Sequence, residues 1–123
     1  RINMEYNSNK PIYLQIADTL CDKILRGEWQ EEERLPSVRE LGGSMGVNPN
    51  TIVRVYDYLQ SMDIIYNKRG IGYFVKDRAK EEINKMQRAQ FFKEYVPEIA
   101  KKMQLLGITE DELLKEMYSY ING

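Results

Sequence analysis

The fold is decided by residues 35–62, which read LPSVRELGGSMGVNPNTIVRVYDYLQSM. Ser37 is followed by Glu40 at the spacing of a capping box, which predicts the start of a helix. Gly46 predicts the end of that helix, because glycine adopts the left-handed conformation of a C′ position without steric cost. A second helix follows after a short turn, so the stretch is a candidate helix-turn-helix.

The second predicted helix begins at Asn48, whose side chain can cap free N–H groups, with Pro49 in the first helical position. At about 100° per residue, one apolar stripe lies along it: Ile52, Val55, Leu59 and Met62. The opposite face contains Asn50, Arg54 and Ser61, with Thr51 at its flank. Amide, hydroxyl and guanidinium groups can bond base edges and phosphates in a major groove. An ordinary solvated helix face is the alternative, and this helix alone leaves it open.

A β-hairpin is predicted directly after this helix pair. Residues 64–67 and 73–76 are short runs rich in β-branched and aromatic residues, separated by a loop that contains glycine. Lys68 and Arg69, beside Gly70 at the tip, can meet phosphates or enter a minor groove. Its position after a helix-turn-helix favours a wing over a solvated turn.

The predicted fold class is therefore mainly α with a small β-hairpin wing. Residues 1–77 are expected to form a winged helix-turn-helix DNA-binding domain, in which residues 1–9 are a loose arm. Residues 78–123 are expected to form a short C-terminal helical dimerisation segment.

The C-terminal segment begins with a long amphipathic pattern over residues 79–106. Pro97 is expected to kink or divide this helix near Tyr95. Thr109 and Glu112 make a second capping box, which predicts a final helix. Helices this short are marginal alone, and we favour a second copy of the chain over the chain's own domain as their partner. The predicted homodimer interface comprises Ile83, Met86, Phe92, Tyr95, Ile99, Met103, Leu106, Leu113, Leu114 and Met117.

The composition and charge of the chain limit the classes of function that are expected. The chain has 123 residues with a net charge of −1, no histidine and a single cysteine. Positive charge gathers locally over residues 34–56 and 64–78. No catalytic set, metal site or cofactor site is expected. The absence of a long apolar run and of a secretory signal predicts a cytoplasmic protein without a membrane partner.

Three spaced motifs resemble the signature of GntR-type transcription regulators: LPSVREL at 35–41, GVNPNT at 46–51 and GIGYFV at 70–75. The lead-in PIYLQI at 11–16 and the short helical tail resemble the YtrA subfamily in particular. The resemblance implies a homodimer that binds double-stranded DNA at an inverted-repeat operator, usually for repression. In this subfamily the regulated genes often include ABC-transporter operons.

The resemblance also implies which residues contact DNA. Arg39 matches an arginine that contacts the operator, while Arg69 and Gly70 lie at the wing tip. The turn and the start of the recognition helix contain Asn48, Asn50 and Thr51. Many family members have arginine where this chain has Pro49 and Val53, so a base or a phosphate contact stays open for Arg54. A small-molecule effector in the dimer cleft, or none, is compatible with this pattern. The alternatives are a protein-interaction module on the same scaffold and, far behind it, an enzyme.

Overall fold

The computed structural model describes residues 10–123, so the arm predicted over residues 1–9 lies outside the described residues. The elements in chain order are α1 Ile12–Leu25, α2 Val38–Met45, α3 Pro49–Ser61, β1 Ile65–Lys68, β2 Gly72–Val75, α4 Ala79–Gln90, a π-helical stretch Phe91–Tyr95, α5 Val96–Leu106 and α6 Glu110–Asn122. The predicted mainly α fold with one hairpin is confirmed. Among the described residues, no helix is long and apolar enough to cross a membrane.

The local signals of the helix pair act as the sequence predicts. Ser37 Oγ accepts a hydrogen bond from the Glu40 N–H at 3.1 Å, and Glu40 Oε1 accepts one from the Ser37 N–H at 2.8 Å. Gly46 ends α2 in the left-handed conformation at φ 70°. Asn48 Oδ1 accepts from the Asn50 N–H at 2.8 Å and caps α3. These caps fix the turn between α2 and α3.

A glycine permits the close approach of that turn to α2. A Cβ atom on Gly42 would lie 2.9 Å from the carbonyl oxygen of Val47 and 3.4 Å from Pro49 Cα. Gly43, the next residue, is exposed with open space around it. The two glycines differ because the buried side of α2 includes Leu41 and Gly42.

The core of the winged domain is built mainly from α1 and α3. The fully buried residues of these two helices are Ile16, Ala17, Leu20, Cys21, Ile24, Ile52, Val55, Tyr56 and Leu59. Met62, predicted in the apolar stripe, is 36% exposed because it lies beyond the last residue of α3. Tyr56 is buried instead, and its hydroxyl donates to the carbonyl oxygen of Pro36.

The wing is an antiparallel hairpin in which Ile65 is opposite Val75 and Lys68 is opposite Gly72. A further segment pairs with β2. The Glu32 N–H donates to the carbonyl of Val75 at 2.8 Å, and the Leu35 N–H donates to the carbonyl of Tyr73 at 2.8 Å. The chain just before α2 is therefore hydrogen-bonded to the wing, which fixes the start of α2 against the hairpin.

The chain divides into two compact units, of which the first ends at Lys85 and the second is Met86–Gly123. The first unit thus continues past the boundary predicted at residue 77. Ala79 and Ile83 are both fully buried and belong to it. Assigning Ile83 to the dimer interface was wrong, because the first turns of α4 bury their apolar side inside the winged unit.

The second unit contains the predicted interruption. The π-helical stretch Phe91–Tyr95 lies immediately before α5, and Pro97 is in the first turn of α5. The missing N–H of proline explains a change of hydrogen-bond pattern here. The second capping box is also confirmed, since the Glu112 N–H donates to Thr109 Oγ1 at 3.1 Å and the Thr109 N–H donates to Glu112 Oε1 at 2.9 Å.

Candidate nucleic-acid interface

Helix α3 presents a polar exposed face beside the turn. Asn50, Arg54 and Asp57 are exposed, and Thr51 is half-buried. Asn48 differs from these residues because its side-chain oxygen is already engaged in the helix cap. The amide N–H groups of Asn48 remain for a ligand. The face can offer amide and guanidinium donors to a groove.

Arg39 lies in the first turn of α2, one residue before Glu40 of the capping box. Its side chain is exposed. The pKa of the neighbouring Glu40 carboxyl is lowered, chiefly by the hydrogen bond from the Ser37 backbone, then by the Ser37 side chain and by the charge of Arg34. Glu40 is therefore ionised at neutral pH, where it serves the cap of α2.

The wing tip groups the basic residues that the sequence singled out. A turn between Lys68 and Ile71, closed by the Ile71 N–H donating to the Lys68 carbonyl at 2.9 Å, places Arg69 and Gly70 at the tip. Gly70 has φ 81°, a conformation that suits glycine. Lys68 Nζ lies 5.3 Å from the centroid of the Phe74 ring. Ile71 is 53% exposed, so the tip combines two cations with an apolar side chain.

Arg34 is a basic residue of this surface that the sequence interpretation did not place. Its Nε lies 3.0 Å, and its Nη2 3.4 Å, from the position that a Cβ atom on Gly72 would occupy. The guanidinium therefore covers the backbone of the wing, and the side chain is exposed. The extended segment before Pro36 was the available signal, since alternation there must send Arg34 and the buried Leu35 in opposite directions.

Ion pairing separates the basic residues of the winged unit into two groups. Five salt bridges occur in residues 10–123, and their cations are Lys10, Lys23, Arg26, Lys76 and Arg78. None of these five salt bridges uses Arg34, Arg39, Arg54, Lys68 or Arg69, and none uses Lys80 or Lys85 of α4. The cations on α2, α3 and the wing tip are therefore available for an anionic ligand such as the phosphates of DNA.

Arg54 has an aromatic contact instead of an ionic one. Its Cζ lies 4.1 Å from the centroid of the Tyr13 ring on α1. The Tyr13 ring in turn meets the Tyr58 ring of α3 edge-on, with centroids 6.2 Å apart. Arg54 is thus directed toward α1, which the periodicity of α3 by itself did not show.

The single cysteine of the chain, Cys21, lies in the core of the winged unit. Burial raises the pKa of the Cys21 thiol to about 12, with smaller contributions from Asp18 and Asp22. The thiol is therefore protonated at neutral pH and a poor nucleophile. Within the part of the chain that the structure describes, no group of three or more His, Cys, Asp or Glu side chains is arranged to hold a metal ion.

A capped helix-turn-helix, an exposed amide and guanidinium face on its second helix, and a hairpin with a basic tip together define a winged-helix DNA-binding transcription regulator. Residues 12–75 match the family described as bacterial regulatory proteins, gntR family. The chain belongs to this family of regulators, which are not enzymes, and the predicted family and fold are confirmed.

The chain is similar to other proteins over nearly its whole length. The HTH-type transcriptional regulator YhcF of Bacillus subtilis (strain 168) is 36% identical over 119 residues, which cover 97% of each chain. The HTH-type transcriptional repressor YtrA of the same organism is 29% identical and covers 99% of this chain and 95% of its own. The crystal structure of a GntR-family regulator from Bacteroides thetaiotaomicron is 49% identical with a TM-score of 0.74, covering 90% of this chain and 96% of its own.

Proposed function

We propose that this regulator is a sequence-specific repressor that binds an inverted-repeat operator as a homodimer. The observation that carries the proposal is the set of cations without salt bridges on α2, α3 and the wing, beside the exposed amide of Asn50. Phosphates would bind the cations, and base edges would bind the polar groups that enter the groove.

We assign the DNA contacts by the chemistry of each side chain. The amide of Asn50 suits adenine, and the guanidinium of Arg39 suits guanine, because each offers the matching pair of groups in the major groove. Thr51 and the amide N–H groups of Asn48 would support this contact from the turn. Lys68, Arg69 and Gly70 would meet the backbone or the minor groove from the wing tip.

The second unit supports the homodimer. None of its side chains is buried between Met86 and Gly123. Of the residues predicted for the interface, Met86, Met103 and Leu113 are half-buried. The exposed members are Phe92, Tyr95, Ile99, Leu106, Leu114 and Met117. A unit that exposes apolar side chains and has no core of its own is stabilised by burial against a partner. If that partner is a second copy of the chain, two recognition helices can read the two halves of a palindrome.

The name of one relative supports repression as the regulatory outcome. YtrA of B. subtilis is named a transcriptional repressor, and the YtrA-like motifs of this chain favour the same outcome. We extend the proposal to a transporter operon as the regulated unit and to the cytoplasm as the compartment, where a regulator meets chromosomal DNA.

Selection of bound sequences from random DNA duplexes by the purified protein tests this function. We expect enrichment of one inverted repeat whose half-sites are about one helical turn apart, or a multiple of it. Asn50→Ala should relax the preference at one position of each half-site, whereas Asn84→Ala, at an exposed position of α4, should leave the enriched sequence unchanged. Enrichment of no sequence would overturn sequence-specific binding, and an asymmetric single site would overturn the homodimeric reading.

A further inference from the structure

Three side chains connect the first helix of the winged unit to the recognition helix. The Arg54 guanidinium lies on the face of the Tyr13 ring, with Cζ 4.1 Å from the ring centroid. The Tyr58 ring packs edge-on against Tyr13, with an angle of 78° between the ring planes. Tyr58 lies one turn after Arg54 on α3, so this helix contacts the tyrosine of α1 through both residues.

We propose that Tyr13 is a positioning residue that holds the Arg54 guanidinium at the α1 edge of the recognition helix, where Arg54 binds a DNA phosphate instead of a base. The inference rests on the proposed function, since it requires that α3 enters the groove. It assigns a role in DNA binding to α1, a helix that otherwise supplies the core.

The position of Arg54 around α3 supports a phosphate contact. At about 100° per residue, Asn50 lies near the middle of the exposed face, opposite the buried residues of the helix, and Arg54 and Asp57 lie on either side of it. Arg54 is on the side of the half-buried Tyr58, and its guanidinium is directed further toward that side by the contact with Tyr13. The middle of a recognition helix faces base edges, whereas its flanks face the sugar-phosphate backbone.

The ring of Tyr13 can hold a guanidinium without consuming its donors. A cation is attracted to the face of an aromatic ring within about 6 Å of the centroid, and stacking leaves the N–H groups at the edge of the guanidinium free for phosphate oxygens. Asp18, the acidic residue in the first two turns of α1, does not compete because its carboxylate pairs with Lys10 Nζ at 2.6 Å. Restricting the arginine before binding also reduces the side-chain entropy that binding would otherwise cost.

A double-mutant cycle on the full chain tests the coupling. The variants are Tyr13→Leu, Arg54→Ala and their combination, each titrated with a duplex carrying the selected operator and with a random duplex. Arg54→Ala should weaken binding to both duplexes by a similar factor and reduce the slope of log affinity against log salt by about 1 for each protomer, or about 2 for the dimer. Tyr13→Leu should weaken binding about two- to fivefold for each protomer when Arg54 is present and have no further effect when Arg54 is absent.

Two controls make the test specific to the proposed geometry. Tyr13→Phe keeps the ring and should bind like the wild type. In the free wild-type protein, the side-chain protons of Arg54 should be shifted upfield in NMR spectra by the ring current of Tyr13, which requires no substitution and thus no assumption that Tyr13→Leu folds.

Several outcomes would overturn the inference. Additive effects of the two substitutions would exclude coupling, and a loss confined to the operator duplex on Arg54→Ala would indicate a base contact. Weak binding by Tyr13→Phe would point to the hydroxyl, and unshifted Arg54 protons would exclude the stacked geometry. Failure of the wild type to bind either duplex would instead overturn the proposed function, so the two failures are distinguishable.

Discussion

At the scale of single residues, Asn48 combines an observed helix cap with a proposed contact to DNA. Its Oδ1 caps α3 through the Asn50 N–H at 2.8 Å, while its amide N–H groups remain for DNA. Asn48→Ala removes the cap and should lower the free energy of unfolding by about 0.5–2 kcal/mol in denaturant titrations. Asn48→Ser retains a capping oxygen and should keep most of the stability.

The same pair of variants separates the cap from the DNA contact. If Asn48 contacts the operator through its amide, Asn48→Ser should bind operator DNA more weakly than the wild type despite its near-normal stability. Equal stability of Asn48→Ala and the wild type would show that the cap contributes nothing to the fold.

The sequence shows how many charged residues each segment contains, but it does not show which of them form ion pairs. Residues 64–78 carry Lys76 and Arg78 as well as the wing cations, yet Lys76 pairs with Asp63 at 3.0 Å and Arg78 pairs with Glu81 at 2.9 Å. Arg34 was included in the positive charge of residues 34–56 but was not placed on the wing, where its guanidinium covers Gly72. Asp63 lies 13 residues before Lys76 and Glu81 lies three residues after Arg78, so a charge sum over residues 64–78 contains neither carboxylate.

At the scale of elements, the two adjacent glycines of α2 provide a matched comparison. A methyl group on Gly42 would meet the Val47 carbonyl oxygen at 2.9 Å, whereas one on Gly43 would meet nothing within 4 Å. Gly42→Ala should therefore destabilise the fold by about 1–3 kcal/mol through overpacking of the turn. Gly43→Ala should be neutral or stabilise α2 by up to about 1 kcal/mol. Thermal unfolding of both variants checks this, and a larger loss for Gly43→Ala would contradict the geometry of the turn.

A different prediction follows for the wing, because its cations are proposed to contact DNA independently of the base sequence. Lys68→Ala should weaken binding to operator and random duplexes about equally and reduce the salt dependence by about one ion for each protomer, or about two for the dimer. Lys23→Ala is the matched control, because Lys23 lies near the other end of α1 from Tyr13 and pairs with Glu28 at 3.3 Å. Anisotropy titrations over a range of salt concentrations measure both. An effect of Lys23→Ala as large as that of Lys68→Ala would exclude a specific role for the wing tip.

Elements with local signals were predicted well, and elements whose limits depend on packing were not. Both capping boxes and the left-handed Gly46 are encoded within a few residues, so the ends of the helices followed from sequence. The division of the C-terminal pattern did not, because residues 79–106 are amphipathic throughout. Only the burial of Ala79 and Ile83 shows that the start of α4 belongs to the winged unit.

At the scale of the whole molecule, the second unit, Met86–Gly123, is distinguished by having no buried side chain. Leu114, which is 63% exposed, is in the proposed dimer interface, whereas Leu105, 77% exposed, is not. Leu114→Asp should convert the dimer to a monomer in sedimentation experiments, because a buried unpaired carboxylate is costly. Leu105→Asp should leave the mass unchanged. A monomeric wild type would contradict the homodimer, and a monomer produced by Leu105→Asp would contradict the assignment of the interface.

Family membership and the winged-helix fold could be predicted from the spaced motifs, because each motif carries its own turn or cap chemistry. The contacts that orient the site could not. The position of Arg54 depends on Tyr13 in another helix, and the base of the wing depends on hydrogen bonds from Glu32 and Leu35 to β2. Both are tertiary interactions that no periodicity within one element reports.

The central claim is that the α3 face and the wing together bind one DNA sequence in preference to others. Its most direct test is the affinity of the full chain for the selected operator and for a scrambled duplex of equal length, each measured at several salt concentrations. We expect the operator to bind at least about 10³-fold more tightly at physiological salt, with both affinities falling as salt rises. Equal affinities for the two duplexes, or binding that is independent of salt, would contradict the claim.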